Sequence, residues 1–591
     1  MHRISKVTIE NFKSIKEVEL SLAAYTPMVG YNNAGKTNIL QALSWVIKKT
    51  SLQASDFFNP EAPVVVTAEI SGIDAGVLDA LEQNHRNRIE PLVVDGTIVM
   101  RRTQATPGAS NSQIRLEIRG EADGEEQWVV NPSGIDQAIA RMFPDPIFIG
   151  AMENATEDVG KFASGTTIGK LIKEIIGPVA ERNAGPVSDA LAQVASRLSA
   201  DGDEKDETLV DLDTQIQTEL GRFFPGVVAK THIQTPEFSD FLKSATIKIY
   251  DQQFDHETGR DASSFGHGAQ RSVQISLIKC LSEIRRQAVA NEARTTLLLI
   301  DEPELYLHPQ AIEVVRASLS RLSTEGYQVA FSTHSANMIA RLDAPNALLI
   351  RRTPEDGTTC FPRMVDAVYE AIAEADHQSA TLFTLSNSTR VLFAEKVVLA
   401  EGKTEQTLLP DLFQNEAGCS LEEEKLGLVS LGSSSDVPKA LPVLVAMGIP
   451  TKAVVDLDFA FRPAIQHGLI AEDNAAVRGC KLVLSRLRDE GKIDLADDGF
   501  PQKSGEVTAA KAFELMAAEA DARRHIDAIH YHFMQQSIWV WTDGTIESHL
   551  GLKAKTASAH SNFLTSIADE EFRNNLPNYG HVQSMLNWLR Q

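Results

Sequence analysis

The sequence predicts a two-domain α/β protein in which mainly parallel strands build the second domain. Three observations predict it. The chain has 591 residues, several times a usual single core. An apolar run, Tyr25 to Val29, enters a glycine loop and then a helix-like stretch from Lys36 to Ile47. From Lys396 onward a second alternation of short apolar runs and helical stretches begins.

Composition excludes several classes. Hydrophobic residues make up 43% and charged residues 23%, the balance of a globular chain rather than a disordered or fibrous one. No stretch approaches the roughly 20 apolar residues that cross a bilayer. Met1 to Glu10 mixes charge with apolar residues, unlike a signal peptide, so the expectation is a cytoplasmic protein with no membrane partner. The four cysteines, Cys280, Cys360, Cys419 and Cys480, never form Cys-x-x-Cys pairs, and are expected to be reduced core residues. A net charge of -24 argues against coating nucleic acid by bulk attraction. The basic pairs Arg101-Arg102, Arg285-Arg286 and Arg351-Arg352, taken singly, read as solvated surface.

Element by element, Ile4, Val7, Ile9 and Phe12, then Val18, Leu20 and Leu22, alternate as paired strands do. Short strands follow between about residues 60 and 150, with turns at Asp95-Gly96 and Asp123-Gly124 and breaks at Pro144 and Pro146. Helical periodicity then takes over. Ile168, Leu171, Ile172, Ile175 and Ile176 share one face, as do Val187, Leu191, Val194 and Leu198. This block, about 155–240, is either an insertion, used for dimer packing or as an arm, or an intradomain helical layer; periodicity leaves these open. Strands resume around Ala245 to Tyr250 and at Ala347 to Ile350, which places the first domain at 1–385 and the second at 386–591.

Gly30 to Thr37 fits G-x-x-x-x-G-K-[ST] between a strand and a helix. In such a loop the backbone of Gly30, Asn32, Asn33 and Gly35 cradles phosphates, Lys36 neutralises the β and γ oxygens, and Thr37 coordinates Mg²⁺. A matching strand, Thr296 to Ile300, ends at Asp301, a metal-holding carboxylate, and Glu302, placed to polarise the attacking water. Ser264, Gly266, Gly268 and Gln270 lie in a small-residue loop that can approach phosphate, and His334, after the strand Val329 to Phe331, is a γ-phosphate contact. In this order the motifs resemble the ABC-type ATPases of the SMC, RecF and OLD group over about the first 385 residues. The resemblance implies an ABC/SMC-like ATPase domain that uses ATP. It also implies a homodimer or tetramer, in which the signature loop of one subunit closes over the nucleotide of another. The loop departs from Leu-Ser-Gly-Gly-Gln, which leaves open whether Ser264 or Gly266 makes the contact.

In the second domain the run Val397 to Ala400 ends at Glu401-Gly402, and Glu405 follows one helical turn later. Thr451 to Val455 then delivers Asp456-Leu457-Asp458, whose acids share a face if the chain stays extended. Carboxylates gathered at strand ends repel unless a hard divalent ion, Mg²⁺ or Mn²⁺, neutralises them; two such ions suit phosphodiester cleavage. The pattern resembles TOPRIM domains, which have a Rossmann-like, mainly parallel sheet. The segment Ser388 to Glu405 is similar to OLD (overcoming lysogenization defect) nucleases. That likeness implies ATPase-linked DNA cleavage in anti-phage defence, as in Gabija-type and retron-associated systems, with a defence partner protein or RNA. It also implies a late acid and a lysine. After the strand Ile538 to Trp541 these are Glu547, with Asp543 behind it, and Lys555, which would stabilise charge on the cleaved phosphate. The rival reading is a RecF/SMC-like DNA-binding ATPase without nuclease activity; Glu401, Glu405, Asp456 and Asp458 argue against it, because such a protein needs no second metal site.

Overall fold

The computed structural model describes residues 2–122, 125–130, 134–143, 145–151, 185–186, 188–224, 226–233, 248–251, 255–261, 264–288, 295–340, 342–371, 388–502 and 507–591. The helical face from Ile168 to Ile176, Val187, the turn Asp123-Gly124 and Pro144 lie outside the described residues. Two compact units divide the chain, residues 1–26 with 37–338, and residues 27–36 with 339–591.

In the first unit β1 (Arg3–Phe12) and β2 (Ile15–Ser21) form an antiparallel hairpin in which Val7 faces Leu20 and Ile9 faces Val18. β3 (Tyr25–Val29) follows, and its last three residues belong to the second unit. β4 (Val64–Ser71) pairs with β1, and its alternate residues Val64, Val66, Ala68 and Ile70 are fully buried, as one apolar face requires. β5 (Ile98–Gln104), β6 (Arg115–Ala122) and β7 (Glu125–Val130) extend this antiparallel array in the order β7-β6-β5-β4-β1-β2. Only β1 to β2 and β6 to β7 are joined by short turns; between β4 and β5 the chain makes the helices Ala75–Asp79 and Gln83–Ile89.

The chemistry of this unit sits on a parallel group: β8 (Ile147–Ile149), then β11 (Thr296–Ile300) and β12 (Tyr327–Thr333), with β11 pairing to both. Every residue of β11 and β12 is buried, the signature of strands covered on both faces. Ile275 and Ile278 of the helix His267–Ala288, and Ile312, Val315 and Leu319 of the helix Pro309–Leu322, close one side. A separate hairpin joins β9 (Lys248–Asp251) to β10 (Asp255–Asp261). The helix Glu207–Phe223 buries no side chain and exposes Val210, Leu212, Ile216 and Phe223.

In the second unit β13 (Leu348–Thr353) runs parallel to the end of β3 and antiparallel to β14 (Gly357–Phe361). A four-stranded, all-parallel sheet comes next: β15 (Lys396–Ala400), β16 (Leu426–Ser430), β17 (Thr451–Val455) and β18 (Ile538–Val540), in the order β16-β15-β17-β18. Successive residues go to opposite cores. Val397, Leu399, Ala453 and Val455 pack with Val443, Leu444, Cys480 and Leu484, whereas Val398, Val454 and Trp539 pack with Leu408, Leu412, Phe413 and Leu586. Period-2 alternation with both faces apolar is what helices on either side of a parallel sheet demand.

Two expectations about burial need correction. Arg102 is buried, donating to Ile47 O at 3.2 Å and Asp136 Oδ1 at 2.8 Å, and the buried Arg351 donates to Ala394 O at 2.9 Å. Each side chain saturates carbonyl or carboxylate oxygens that would otherwise lack donors. Of the cysteines only Cys480 is buried, while Cys280, on the helix His267–Ala288, is exposed.

Candidate active sites

The glycine loop packs by backbone contact. At Gly30, where β3 ends, a Cβ would collide with the carbonyl oxygen of Ile350. Asn33 at φ 67° and Gly35 at φ 104° turn the chain into the left-handed region, the alternation that aims successive amides inward. Thr358 Oγ1 donates to Ala34 O at 2.9 Å, fixing the loop from outside. Asn32 and Asn33 stay exposed. Lys36 is buried and its Nζ donates to Gly30 O at 2.9 Å and Tyr31 O at 3.1 Å, so the ammonium is held against the loop it serves.

In the first unit the end of β11 gathers several of the residues that the sequence singles out. Thr37 Oγ1 donates to Asp301 Oδ2 at 2.8 Å, and Ser332 Oγ donates to Asp301 Oδ1. Glu302 sits at φ 47°, a strained backbone for a non-glycine residue, which turns its carboxylate to 3.3 Å from His334 Nε2. Glu304 supports this pair: Thr333 Oγ1 and the His334 amide both donate to its Oε1 at 2.7 Å. Arg271, on the helix His267–Ala288, donates to the carbonyls of Asp301 at 3.0 Å and Glu302 at 2.9 Å, and to Gly150 O at 3.3 Å. Sequence reasoning gives neither Glu304 nor Arg271 a role. Both are visible inside their motifs, but their partners come from other segments.

The signature loop divides into two kinds of residue. Ser264 and Gly266 are exposed, Gly268 is half-buried, and a Cβ on Gly266 would meet open space. Gln270 is buried, and its Nε2 donates to Phe265 O at 2.8 Å, bracing the loop from within.

The second centre lies at the carboxyl edge of the four-stranded sheet. Crossovers leave β15 in one direction to β16 and return on the other side at β17, so the switch point where ligands bind in such sheets falls between β15 and β17. Glu401 and Asp456 end those two strands. Glu401 Oε2 accepts from the Asp456 amide at 3.2 Å, which places one carboxylate across the mouth of the other strand. Asp458 arrives differently from the extended-chain expectation. β17 stops at Val455, and Asp458 stands in a 3-10 helix, Leu457–Ala460, for which Asp456 is the N-cap. Glu405, at the third position of the helix Lys403–Ala417, is buried and its Oε2 accepts from the Gly402 amide at 3.2 Å. Glu547, at the start of the helix Ile546–Leu550, accepts from Thr404 Oγ1 at 2.7 Å and pairs with Lys555 Nζ at 3.1 Å. Ser434, from the turn after β16, hydrogen-bonds Glu401. Asp543 is committed elsewhere, to Arg523 at 2.6 Å and Asn578 at 2.6 Å.

Electrostatics follows from crowding. Burial and then the Asp458 charge push Glu401 up to about 7, and burial with Glu401 and Glu405 raises Asp456 well above its ordinary value. Burial also raises Glu405. For Glu547 the burial effect is outweighed by Thr404 and Lys555, which hold the carboxyl below its usual range. Lys555, which burial alone would lower, is raised by Asp456 and Glu547. Because Glu401 is raised on folding, its contribution to stability is full below its unfolded value of 4.5 and is lost as pH rises to about 7. Melting in metal-free buffer should therefore show Tm falling across that window, with a shallower fall in Glu401→Gln; parallel curves would contradict the crowding.

The acids fit a hard cation on two grounds. Asp456 Oδ1 and Glu547 Oε2 are sealed from solvent with no hydrogen-bond donor among the described residues, and the donor set is all oxygen. As the side chains stand, no group of three or more His, Cys, Asp or Glu among the described residues is disposed to hold a metal ion, so the acids would have to draw together around one.

The descriptions of two protein-family models match the two centres: "Overcoming lysogenization defect protein-like, TOPRIM domain" over residues 392–458, and "AAA ATPase domain" over 3–90 and 152–339. The Old nuclease of Escherichia phage P2 is 33% identical over 594 aligned positions, covering 99% of this chain and 100% of that protein. The chain belongs to the OLD nuclease family. The OLD nuclease of Thermus scotoductus is 21% identical over 77% of this chain and 82% of its own length. Endonuclease GajA of Bacillus cereus is 23% identical over 69% and 67% respectively. This OLD-family chain is thus an ATPase and endonuclease with an α/β ATPase domain and a C-terminal TOPRIM domain, a pairing that implies use of ATP and a divalent metal. No helix among the described residues of this OLD-family chain is long and apolar enough to cross a membrane.

Proposed function

We propose that the protein is an ATP-hydrolysing, Mg²⁺- or Mn²⁺-dependent DNA endonuclease, with an ATPase domain over 1–385 and a nuclease domain over 386–591. One observation carries the reading: Glu401 and Asp456 meet at the switch point of a parallel sheet, with Glu405, Asp458 and Glu547 around them. In the nuclease centre Glu401, Glu405, Asp456, Asp458 and Glu547 would hold two divalent ions. Bound there, such ions supply Lewis acidity and an acidified water. Lys555, kept cationic by its acid neighbours, neutralises charge on the phosphate. Ser434 and Thr404 fix the orientations of Glu401 and Glu547.

In the ATPase, Gly30, Asn32, Asn33, Gly35 and Lys36 cradle the phosphates, and Thr37 with Asp301 would hold Mg²⁺. Glu302 orients the attacking water and His334 steadies Glu302. Ser264 and Gly266, with Gly268 behind them, serve a second subunit's nucleotide, and the exposed apolar face of the helix Glu207–Phe223 supports assembly into a homodimer or tetramer. Similarity to GajA supports a role in anti-phage defence, and the proposal includes a defence partner, protein or RNA. The test is plasmid DNA incubated with the purified protein and Mg²⁺ or Mn²⁺, with and without ATP. Nicked or linear product that disappears with EDTA is expected; intact plasmid under every condition overturns the reading.

A further inference from the structure

Beside the acid cluster, the helices Lys403–Ala417 and Ala557–Ser566 pack together and bound a cleft of about 560 Å³. Lys403, Thr407, Lys555, His560, Ser561 and Thr565 line it together with the apolar Ala557 and Leu564, and among the described residues no carboxylate belongs to its wall. In a chain of net charge -24 this is a local reversal of sign. Both helices begin at the cleft, Lys403 being the first residue of one and Ala557 the first residue of the other, so their N-terminal ends add partial positive charge.

His560 gives an independent indication. Its side chain is 7% exposed and its Nε2 is buried with no hydrogen-bond partner among the described residues. Buried ring nitrogens are normally satisfied, and His560, which borders the cleft beside Lys403, Lys555 and three hydroxyls, keeps this one unused for an anionic oxygen bound there. Continuity with the acids is direct, because Lys555 lines the cleft while its Nζ lies 3.1 Å from Glu547.

We propose that this cleft is a backbone-phosphate subsite that holds the DNA strand next to the bond cut at the acid cluster. Lys403 neutralises a phosphate, His560 donates from Nε2, and Thr407, Ser561 and Thr565 supply hydroxyl donors to neighbouring phosphate oxygens. The occupant's identity as DNA rests on the nuclease reading above. The cleft's volume suits a ligand of nucleotide size rather than a whole duplex, so one strand enters it.

The experiment measures binding and cleavage separately on the full chain. Fluorescein-labelled DNA, single-stranded in one arm and duplex in the other, is titrated in Ca²⁺ at several salt concentrations, and plasmid cleavage is followed in Mn²⁺. Lys403→Glu should weaken binding and lower the slope of log affinity against log salt by about 1, raising KM for cleavage with little change in kcat. His560→Leu should weaken binding, and His560→Gln, which keeps an amide donor, should recover part of it. The Mn²⁺-induced rise in Tm should stay at the wild-type value in all three variants, which also reports that they fold. Wild-type affinity and salt slope in both Lys403→Glu and His560→Leu would overturn the subsite while leaving the nuclease reading intact. A wild type that binds DNA through the cleft but never cuts would instead overturn the nuclease reading and retain the subsite.

Discussion

Asp456→Ala is expected to lower DNA cleavage by about 10³-fold or more, since a lost ligand to a Lewis-acidic ion forfeits several kcal/mol of transition-state stabilisation. ATP binding and hydrolysis should be retained, because Thr37, Asp301 and the Glu302 amide are joined, the last through Ser332, in their own hydrogen-bonded group. The same substitution should raise the stability of the metal-free protein. Asp456 carries a sealed, donorless Oδ1 and is crowded by Glu401 and Glu405, so in the absence of cation its charge opposes folding. Activity and apo stability moving in opposite directions would mark Asp456 as a ligand. A core residue would lose both together. Cleavage rates under single turnover and melting in EDTA check the two halves of this result; cleavage within about twofold of wild type would remove Asp456 from the mechanism.

Glu302→Gln carries the second large effect. Glutamine preserves shape and a hydrogen bond toward His334 but cannot accept a proton from water, so ATP hydrolysis should fall by about 10²- to 10⁴-fold while nucleotide affinity is kept. The strained backbone at φ 47° and the bracing of His334 by Glu304 indicate that the fold invests in one orientation of this carboxylate. Phosphate release and nucleotide binding, measured on the same preparation, separate the roles. Equal loss of both would assign Glu302 to holding the loop rather than to hydrolysis.

Legibility in the sequence depends on locality. The glycine loop, the strand ending at Asp301 and the strands ending at Glu401 and Asp456 can be read because an apolar run directly precedes each group, and a strand end presents its next residues to ligand. The parallel sheet is legible for the same reason: Val397 to Ala400 and Thr451 to Val455 are continuous apolar runs, as strands buried on both faces must be. Spacing alone puts Asp458 on an extended strand, yet Asp456 caps a 3-10 turn there, a choice made by tertiary packing of Leu457 and Phe459 into the core. Thr404, Ser434, Glu304 and Arg271 escape sequence reasoning as site residues, since each acquires meaning only through a partner on another segment. Among the late acids, Glu547 and Asp543 can be ordered only by their partners: Lys555 and Thr404 for one, Arg523 and Asn578 for the other.

The central claim is that acids from separate strand ends share one divalent-ion centre. Its most direct test is anomalous diffraction from crystals grown with Mn²⁺. Manganese peaks within ligand distance of Glu401, Asp456 and Asp458, and absent in Asp456→Ala, are the predicted result. Manganese bound only near Thr37 and Asp301, with the acids at the end of β15 and β17 bare, would contradict it.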